Sequence, residues 1–217
     1  MNIEQARFNM IEQQIRPWKV LDPQVLDLLS SIPREKFVPN AYQGLAFADI
    51  AIPLGNNRFM LHPREQGRLV QAVKPNSNER VLVVGCSTGY VTALLASLAK
   101  KVTAIDGDEQ FIKQATENLA SLNIKNVTLH CSDPLLGDKT NAPYDVIVVL
   151  GSMQVMAEEI KSQLAVGGRL FCVIGQEPTM EALVMTQQSE NEWTEEALFE
   201  TSVAAIENAP ETEKFHF

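Results

Sequence analysis

The clearest pattern of apolar and polar positions lies near the middle of the chain. The four apolar residues from Val81 to Val84 are typical of a strand that is buried on both faces of a parallel sheet. Gly85 ends this run, and after Gly89 the residues from 90 to 99 have helical spacing and good helix formers. The pattern therefore predicts a strand, a glycine turn and a helix, and such a turn lets a ligand approach the backbone closely.

Similar periodicities predict alternating helices and strands along the rest of the chain. The predicted helices cover residues 2–15, 23–32, 64–73, 109–122 and 155–164. The predicted strands cover residues 81–84, 102–105, 126–131, 144–150, 170–174, 182–188 and 193–206. Residues 34–38 are predicted to be a short turn, and residues 41–55 a loop with short extended pieces. This order predicts an α/β fold, a Rossmann-like, doubly wound, mostly parallel seven-stranded sheet with an antiparallel C-terminal edge hairpin and an N-terminal helical extension.

Length and pattern predict a single domain in two parts. Residues 1–75 are predicted to form the helical extension, which covers the ligand edge of the sheet, packs as a layer on its face, or does both. Residues 76–217 are predicted to form the ligand-binding part, because ligands of α/β sheets bind at the carboxyl ends of the strands. The acidic tail from Glu207 is expected to be loosely held.

Charge and cysteine content limit the classes of partner and compartment. The chain of 217 residues has a formal net charge of −9, which disfavours unaided binding to nucleic acid or to an anionic membrane. It has no apolar run long enough for a membrane span, and residues 1–15 lack a hydrophobic signal core. Cys86, Cys131 and Cys172 fit neither a disulfide framework nor a zinc site. We therefore expect a cytoplasmic protein with no metal and no catalytic cysteine.

An acidic residue at the end of the second predicted strand indicates what the glycine turn binds. Asp106 lies 21 residues after Gly85, close to the spacing at which dinucleotide-type folds place a carboxylate for ribose hydroxyls. The turn is not the G-x-G-x-x-G pattern of nicotinamide-binding proteins, because Ser87 lies where the middle glycine would be. This combination favours S-adenosylmethionine, with the turn at its methionine carboxylate and Asp133 at its adenine edge. The alternatives are a purely structural turn and, for Asp133, a turn or helix cap.

Several blocks of the sequence resemble protein-L-isoaspartate O-methyltransferases. The specific blocks are N-terminal, because generic methyltransferases lack them: residues 10–15 (MIEQQI), 22–26 (DPQVL), 32–39 (IPREKFVP) and 46–55 (AFADIAIPLG). The resemblance continues to about residue 175, through Arg80-Val81-Leu82, Gly85, Gly89-Tyr90, Ser132-Asp133, Tyr144-Asp145 and Gly167-Gly168-Arg169-Leu170.

The resemblance implies an activity, a cofactor and a set of contacts. Members of that family use S-adenosylmethionine to methylate the carboxylate of isoaspartyl residues in damaged proteins or peptides. The ester then collapses to a succinimide, and hydrolysis partly restores aspartate, so the function is protein repair. The residues expected to contact the cofactor are Gly85, Cys86, Ser87, Gly89, Asp106, Gly107, Asp133, Pro134 and Leu150.

The segment before the helix at residue 64 departs from the family pattern. The family has a Gly-x-Thr-Ile-Ser-x-Pro type segment there, and its Ser hydroxyl faces the reacting centre. In this chain Leu61 stands at the Ser position and Phe59 at the Thr position. Arg58 could bind a substrate carboxylate and His62 could be a base or substrate ligand, with loop packing as the alternative for His62. Contacts to the methyl acceptor are therefore expected from Arg58, Phe59, Leu61 and His62, and no catalytic residue is assigned.

Two further departures fall on the cofactor side, where Val83 replaces an acid and Ser87 replaces a glycine.

Three functions are consistent with a scaffold that resembles the family and a site that departs from it. The first is an isoaspartyl-type protein carboxyl methyltransferase with weak or altered activity. The second is a methyltransferase of the same scaffold that acts on another, small-molecule acceptor. The third is a non-catalytic descendant that binds the cofactor or a partner. The sequence leaves the oligomeric state open between a monomer and a weak dimer.

Overall fold

The computed structural model describes residues 2–209 and contains a seven-stranded sheet with helices on both faces. The α-helices are α1 (Ile3–Met10), α2 (Pro23–Ser31), α3 (Pro63–Val73), α4 (Tyr90–Ala96), α5 (Glu109–Ser121) and α6 (Glu158–Lys161). The strands are β1 (Ile52–Gly55), β2 (Arg58–Met60), β3 (Arg80–Val84), β4 (Lys101–Asp106), β5 (Val127–Cys131), β6 (Tyr144–Met153), β7 (Leu164–Gln176), β8 (Thr179–Ser189) and β9 (Glu192–Thr201).

The order of strands across the sheet is β5-β4-β3-β6-β7-β8-β9. Strands β5, β4, β3, β6 and β7 are parallel, whereas β8 and β9 form an antiparallel hairpin at one edge. The chain reverses its direction of travel across the sheet at β3, which has β4 on one side and β6 on the other. Ligands of open α/β sheets bind at such a switch point. The predicted fold class is confirmed.

Burial on both faces explains the continuous apolar runs of the central strands. In β3, Val81 and Val83 pack into a core shared with the N-terminal helices, α3 and α4. Leu82 and Val84 point to the opposite face, where the core includes Ile160 of α6. Successive residues of a strand point to opposite faces, so a strand between two cores needs apolar residues at every position.

The N-terminal segment is a packing layer as well as a cover. Apolar residues from Met10 to Phe47 share one core with the central strands. At the centre of this contact is Gly67 of α3, where an added Cβ would lie 3.2 Å from Ile15 and Val20 and 3.3 Å from Leu29. The division of the chain into parts at residue 75 stays a prediction.

The ends of several elements differ from the predictions. The helix predicted over residues 2–15 is α1 followed by a π-helical turn at Ile11–Ile15, and the one predicted over 155–164 is the short α6. The turn predicted at 34–38 is a 3₁₀ helix at Arg34–Phe37. The loop predicted at 41–55 contains a 3₁₀ helix at Asn40–Leu45 and strand β1, which pairs with β2.

The last predicted strand was too long at its C-terminal end. Strand β9 ends at Thr201, and the following residues cross the carboxyl end of β6. Ser152 donates its backbone N–H to the Ala204 carbonyl, and its own carbonyl accepts the Ile206 N–H. Gly151 allows this approach, since a Cβ there would lie 2.6 Å from Cγ1 of Ile206. The prediction of a loose acidic tail from Glu207 falls mostly outside the described residues.

A buried arginine joins the N-terminal layer to the segment before α3. Arg34 is 1% exposed and donates to the Gln66 side chain at 3.0 Å, to the Leu61 carbonyl at 2.8 Å and to the Ala46 carbonyl. Its guanidinium also lies 5.9 Å from the ring centroid of Tyr90, the first residue of α4. Burial lowers the pKa of Arg34 to about 10, which still leaves it charged at neutral pH.

We expect Arg34→Ala to destabilise the protein by about 3 kcal/mol, because three buried acceptors lose their donor at roughly 1 kcal/mol each. Urea unfolding followed by circular dichroism measures this change. Arg16→Ala is the matched control: its ion pair with Glu12 is exposed, so we expect a loss below about 0.5 kcal/mol. Equal losses in the two variants would contradict the structural role of Arg34.

Candidate functional site

The carboxyl ends of the parallel strands bring together most of the predicted cofactor residues. Gly85 follows β3, Asp106 ends β4, Asp133 follows β5 and Leu150 lies near the end of β6. The pairing of β6 with β7 shifts register between Val148 and Ser152, so Leu150 lies in an irregular stretch beside the switch point. Such irregularities often lie beside functional sites. The predicted placement of these residues along one edge is confirmed.

The turn after β3 has the backbone geometry that a close-fitting ligand requires. Gly85 and Gly89 have φ angles of +75° and +89°, in the left-handed region that favours glycine. Ser87 also lies there, with φ of +47°, at the position where the resemblance noted above implies a glycine. Its N–H donates to Oδ2 of Asp106 at 2.8 Å, which offsets part of the conformational cost of a non-glycine residue.

The Asp106 carboxylate is the most buried acid of this edge, with only 1% of the side chain exposed. Its Oδ2 accepts hydrogen bonds from the Ser87 N–H and from Nη2 of Arg58, both at 2.8 Å. Its Oδ1 accepts the Asp108 N–H at 3.2 Å. The carboxylate is thus held by the glycine turn on one side and by an arginine on the other.

A β-hairpin formed by β1 and β2 lies over this edge. Arg58, on β2, forms the ion pair with Asp106, and its guanidinium lies 5.7 Å from the ring centroid of Phe111. At the tip of the hairpin, Asn56 donates to the Asp108 side chain at 2.8 Å. Hydrogen bonds from the Gln110 N–H and from Asn56 lower the pKa of Asp108. The part of the N-terminal extension that covers the carboxyl edge is therefore this hairpin.

Two cavities open beside Arg58, one on each side of it. The β6 cavity, of about 310 Å³, is bounded by the hairpin, the glycine turn and the end of β6; its lining includes Arg58, Leu61, His62, Ser87 and Leu150. The β4 cavity, of about 520 Å³, is bounded by the hairpin and the end of β4; its lining includes Asn56, Arg58, Asp106, Gly107 and Phe111. Both volumes are in the range of small-molecule sites.

All four predicted acceptor residues line the β6 cavity: Arg58, Phe59, Leu61 and His62. Nδ1 of His62 is buried 3.5 Å from Oδ1 of Asp49, while about a quarter of the side chain remains exposed. The exposed edge of the ring is therefore the one that carries Nε2. The apolar side chain of Leu61 stands where the family has a hydroxyl, so this wall offers no side-chain donor at that position.

Some predicted cofactor residues have a structural role or lie outside the two cavities. Asp133 caps a short 3₁₀ helix by accepting the Leu135 N–H at 2.9 Å. The sequence left Asp133 open between a contact to the adenine edge and a cap, and the structure contains the cap. Five of the predicted cofactor residues line neither cavity: Gly85, Cys86, Gly89, Asp133 and Pro134. The side of Gly89 that lacks a Cβ faces α5, where an added Cβ would lie 3.1 Å from that of Ala115. Gly107 does line the β4 cavity, and an added Cβ there would lie 3.4 Å from Pro134 Cδ.

Several cavity residues were not predicted from the sequence. Glu65 is 5% exposed, accepts the His62 N–H at 3.1 Å and the Thr201 hydroxyl at 2.8 Å, and lines the β6 cavity. Its position three residues after the helix N-cap was a signal that could have found it. Glu177 and residues 202–205 line the same cavity from the C-terminal part of the chain, and no local pattern predicts that contact.

The residues at this edge fit S-adenosylmethionine. A buried carboxylate that ends β4 is suited to ribose hydroxyls, and the turn after β3 lets a methionine moiety approach the backbone. A parallel sheet with this strand order and this site is that of a Rossmann-like methyltransferase. Residues 5–206 match the family described as "Protein-L-isoaspartate(D-aspartate) O-methyltransferase (PCMT)". The chain belongs to this family, whose members are S-adenosylmethionine-dependent enzymes.

Two curated relatives agree with this assignment. Protein-L-isoaspartate O-methyltransferase 1 of Rhodopseudomonas palustris (strain HaA2) is 36% identical over 178 residues, 82% of this chain and 73% of the relative. The Herpetosiphon aurantiacus protein-L-isoaspartate O-methyltransferase is 30% identical over 215 residues, 96% of each chain.

Two solved structures share the fold. One, a protein-L-isoaspartate O-methyltransferase, has a TM-score of 0.78 at 22% identity over 93% of this chain, which matches 65% of that chain's length. The other is described as a putative protein-L-isoaspartate O-methyltransferase from Plasmodium falciparum in complex with S-adenosyl-L-homocysteine. It has a TM-score of 0.78 at 16% identity, and the match covers 95% of this chain and 99% of that chain. Among residues 2–209 of the present chain, no helix has the length and apolar character needed to cross a membrane.

The cysteines of this fold differ in accessibility, which gives a test of the site geometry. Cys86, in the glycine turn, and Cys172, in β7, are buried, whereas Cys131 at the end of β5 is exposed. Burial raises the pKa of Cys86, and raises that of Cys172 to about 12. Desolvation and the neighbouring Glu109 also raise the pKa of Cys131, so accessibility, and not ionisation, distinguishes the three thiols. We expect a thiol reagent to modify Cys131 in the folded protein, and Cys86 and Cys172 only after unfolding. Cys131→Ser should remove the fast phase; rapid labelling of Cys86 would contradict the geometry of the turn.

Proposed function

We propose that this chain transfers a methyl group from S-adenosylmethionine to the carboxylate of L-isoaspartyl or D-aspartyl residues in damaged proteins or peptides. The observation that carries the proposal is the pairing of a buried strand-end carboxylate, Asp106, with a cavity whose walls come from the family's acceptor segment, residues 58–62. The relatives named for this activity support the choice of acceptor.

The proposed reaction requires little acid–base catalysis. An oxygen of the ionised carboxylate attacks the methyl carbon, the sulfur–methyl bond breaks, and its electron pair stays on the sulfur to give S-adenosylhomocysteine. Both reactants are already activated, so the protein contributes mainly orientation and electrostatic field. We propose that the cofactor contacts come from the nine residues predicted from the sequence: Gly85, Cys86, Ser87, Gly89, Asp106, Gly107, Asp133, Pro134 and Leu150.

A second candidate function is methyl transfer to a small molecule that bears a hydroxyl or amine group. The observation that favours it is the β6 cavity itself, in which Leu61 replaces a hydroxyl and His62 presents one ring edge while Asp49 lies at the other. A hydroxyl or ammonium acceptor must lose a proton, and His62 Nε2 is suited to accept it. Activity toward such acceptors and not toward isoaspartyl peptides would favour this candidate.

The cysteines and the net charge of the chain support a proposal for its compartment and its partners. We assign a cytoplasmic location because the three cysteines are free thiols, as is usual in a reducing compartment. The substrate is an isoaspartyl protein or peptide, and we propose no nucleic-acid or membrane partner because the net charge of −9 opposes both. The oligomeric state, monomer or weak dimer, is measured directly by analytical ultracentrifugation.

We expect Asp106→Ala to weaken S-adenosylhomocysteine binding by about 1.5–3 kcal/mol, since hydrogen bonds to a charged acceptor are lost. Isothermal titration calorimetry measures the change. Asp22→Ala is the control, because Asp22 caps α2, pairs with Lys74 and lines neither cavity. No heat from the wild type at millimolar ligand would exclude both enzymatic functions.

We expect weak isoaspartyl methylation by the wild type, because the apolar Leu61 side chain leaves one side of the acceptor carboxylate desolvated and without a hydrogen-bond donor. Leu61→Ser should raise the rate, since one well-placed donor is worth roughly 2.7–4 kcal/mol in an anion-stabilising role. Methyl transfer from labelled cofactor to an isoaspartyl peptide is the assay.

The control for this substitution is Leu28→Ser, which changes a half-buried leucine of α2 that lines neither of the two cavities. Full isoaspartyl methylation by the wild type, without the substitution, would mean that Arg58, His62 or backbone groups already stabilise the acceptor. A variant that binds cofactor but gains no activity would favour the second candidate function.

A further inference from the structure

Arg58 is placed between the two cavities and lines both of them. Its Nη2 would lie 3.7 Å from a Cβ added to Gly85, so the guanidinium lies directly over the glycine turn. The same nitrogen is 2.8 Å from Oδ2 of Asp106. A ligand that extends from the turn to the end of β4 therefore meets the Arg58 side chain in its path.

The hydrogen bonds of Asp106 show that Arg58 and a ribose compete for the same carboxylate. An ionised carboxylate has about four acceptor positions. At least three are used here, by the N–H groups of Ser87 and Asp108 and by Arg58. The two hydroxyls of a ribose need two positions, and the two backbone donors are fixed by the fold. The side chain that can leave is that of Arg58.

The β6 cavity is where a released Arg58 would find a new partner. Arg58 already lines this cavity, together with Phe59 and Leu61 of the same hairpin. The side chain is only 17% exposed, so its charge needs an anion once Asp106 is taken. The β6 cavity contains two carboxylates of the chain, but Glu65 is held by Thr201 and His62, and Glu177 by Ser202. Asp108, Glu109 and Glu207 line the β4 cavity, on the side of Arg58 that the cofactor would fill.

We propose that Arg58 is the ligand for the acceptor carboxylate. Before the cofactor binds, the ion pair with Asp106 keeps the Arg58 side chain away from that role. Cofactor ribose displaces the guanidinium from Asp106, and the guanidinium then binds the carboxylate of the acceptor in the β6 cavity. Binding is consequently ordered, with the cofactor first. The inference rests on the proposed function, because it takes the acceptor to be a carboxylate.

The cofactor half of the proposal is tested by calorimetry with S-adenosylhomocysteine, which binds without turnover. We expect Arg58→Ala to bind it about tenfold more tightly than the wild type, because no ion pair has to be broken. Arg58→Lys, which keeps the charge, should remain close to the wild type. Weaker or unchanged binding by Arg58→Ala would overturn the proposal, since Arg58 would then be a cofactor ligand or a bystander.

The matched control is Arg7→Ala. Arg7 forms an ion pair of 2.7 Å with Glu35 and is also 17% exposed, but lines neither cavity. The affinity of the Arg7→Ala variant for S-adenosylhomocysteine should equal that of the wild type. Thermal unfolding of each variant identifies any loss of fold, which would lower rather than raise affinity and so cannot imitate the expected result.

The acceptor half is tested by binding of a fluorescent isoaspartyl peptide with and without saturating S-adenosylhomocysteine. We expect the nucleoside to tighten wild-type peptide binding about tenfold, a coupling that thermodynamic linkage makes reciprocal. A peptide with the side-chain-type carboxylate replaced by an amide should show no such coupling, and Arg58→Ala should abolish it. Equal peptide affinity with and without the nucleoside would overturn the proposal.

These results separate the inference from the proposed function. Coupling in the wild type without methylation of the peptide would contradict the proposed activity and support the role of Arg58. Methylation without coupling would contradict the role of Arg58 and leave the activity in place. Coupling that survives Arg58→Ala would assign the acceptor site to other groups and overturn the inference.

Discussion

The burial of one positive charge, on Arg34, organises the contacts between the N-terminal layer and the site. A guanidinium that is almost fully buried must have its donors satisfied, and its acceptors come from three separate segments: Ala46, Leu61 and Gln66. The same group faces Tyr90, which begins the helix after the glycine turn. One side chain thus fixes the segment of Leu61 relative to the turn, and with it one wall of the β6 cavity.

The parts of the site that could be predicted are those whose chemistry is local in the sequence. Four apolar residues followed by Gly85 define a doubly buried strand and a turn, whatever the remainder of the chain does. Parallel pairing then puts Asp106 at the same edge, because consecutive parallel strands end together. A cover over the edge was predicted for the N-terminal extension, but the hairpin itself was not, because its strands β1 and β2 are too short to be recognised by periodicity.

The parts that could not be predicted depend on contacts between distant segments. Arg58 and Asp106 are 48 positions apart, and nothing near either residue specifies the other as its partner. Glu65 reaches Thr201 across 136 positions. The strand predicted through residue 206 ends at Thr201 because Gly151 lets the chain lie against β6 instead, a preference set by packing. Even Ser87 shows tertiary structure overriding local preference, since its left-handed backbone is stabilised by Asp106.

The crossing of residues 202–205 over the end of β6 places a constraint on biosynthesis. These residues line the β6 cavity together with residues from the first third of the chain: Ala51, Asn57, Arg58, Phe59, Leu61, His62 and Glu65. During translation, the hairpin, the glycine turn and Asp106 are synthesised about a hundred residues or more before residues 202–205. The parallel sheet can begin to assemble on the emerging chain, since domains fold as their residues become available. The cavity cannot close until residue 205 has been added, so the nascent chain exposes an unfinished pocket in which no acceptor can be enclosed.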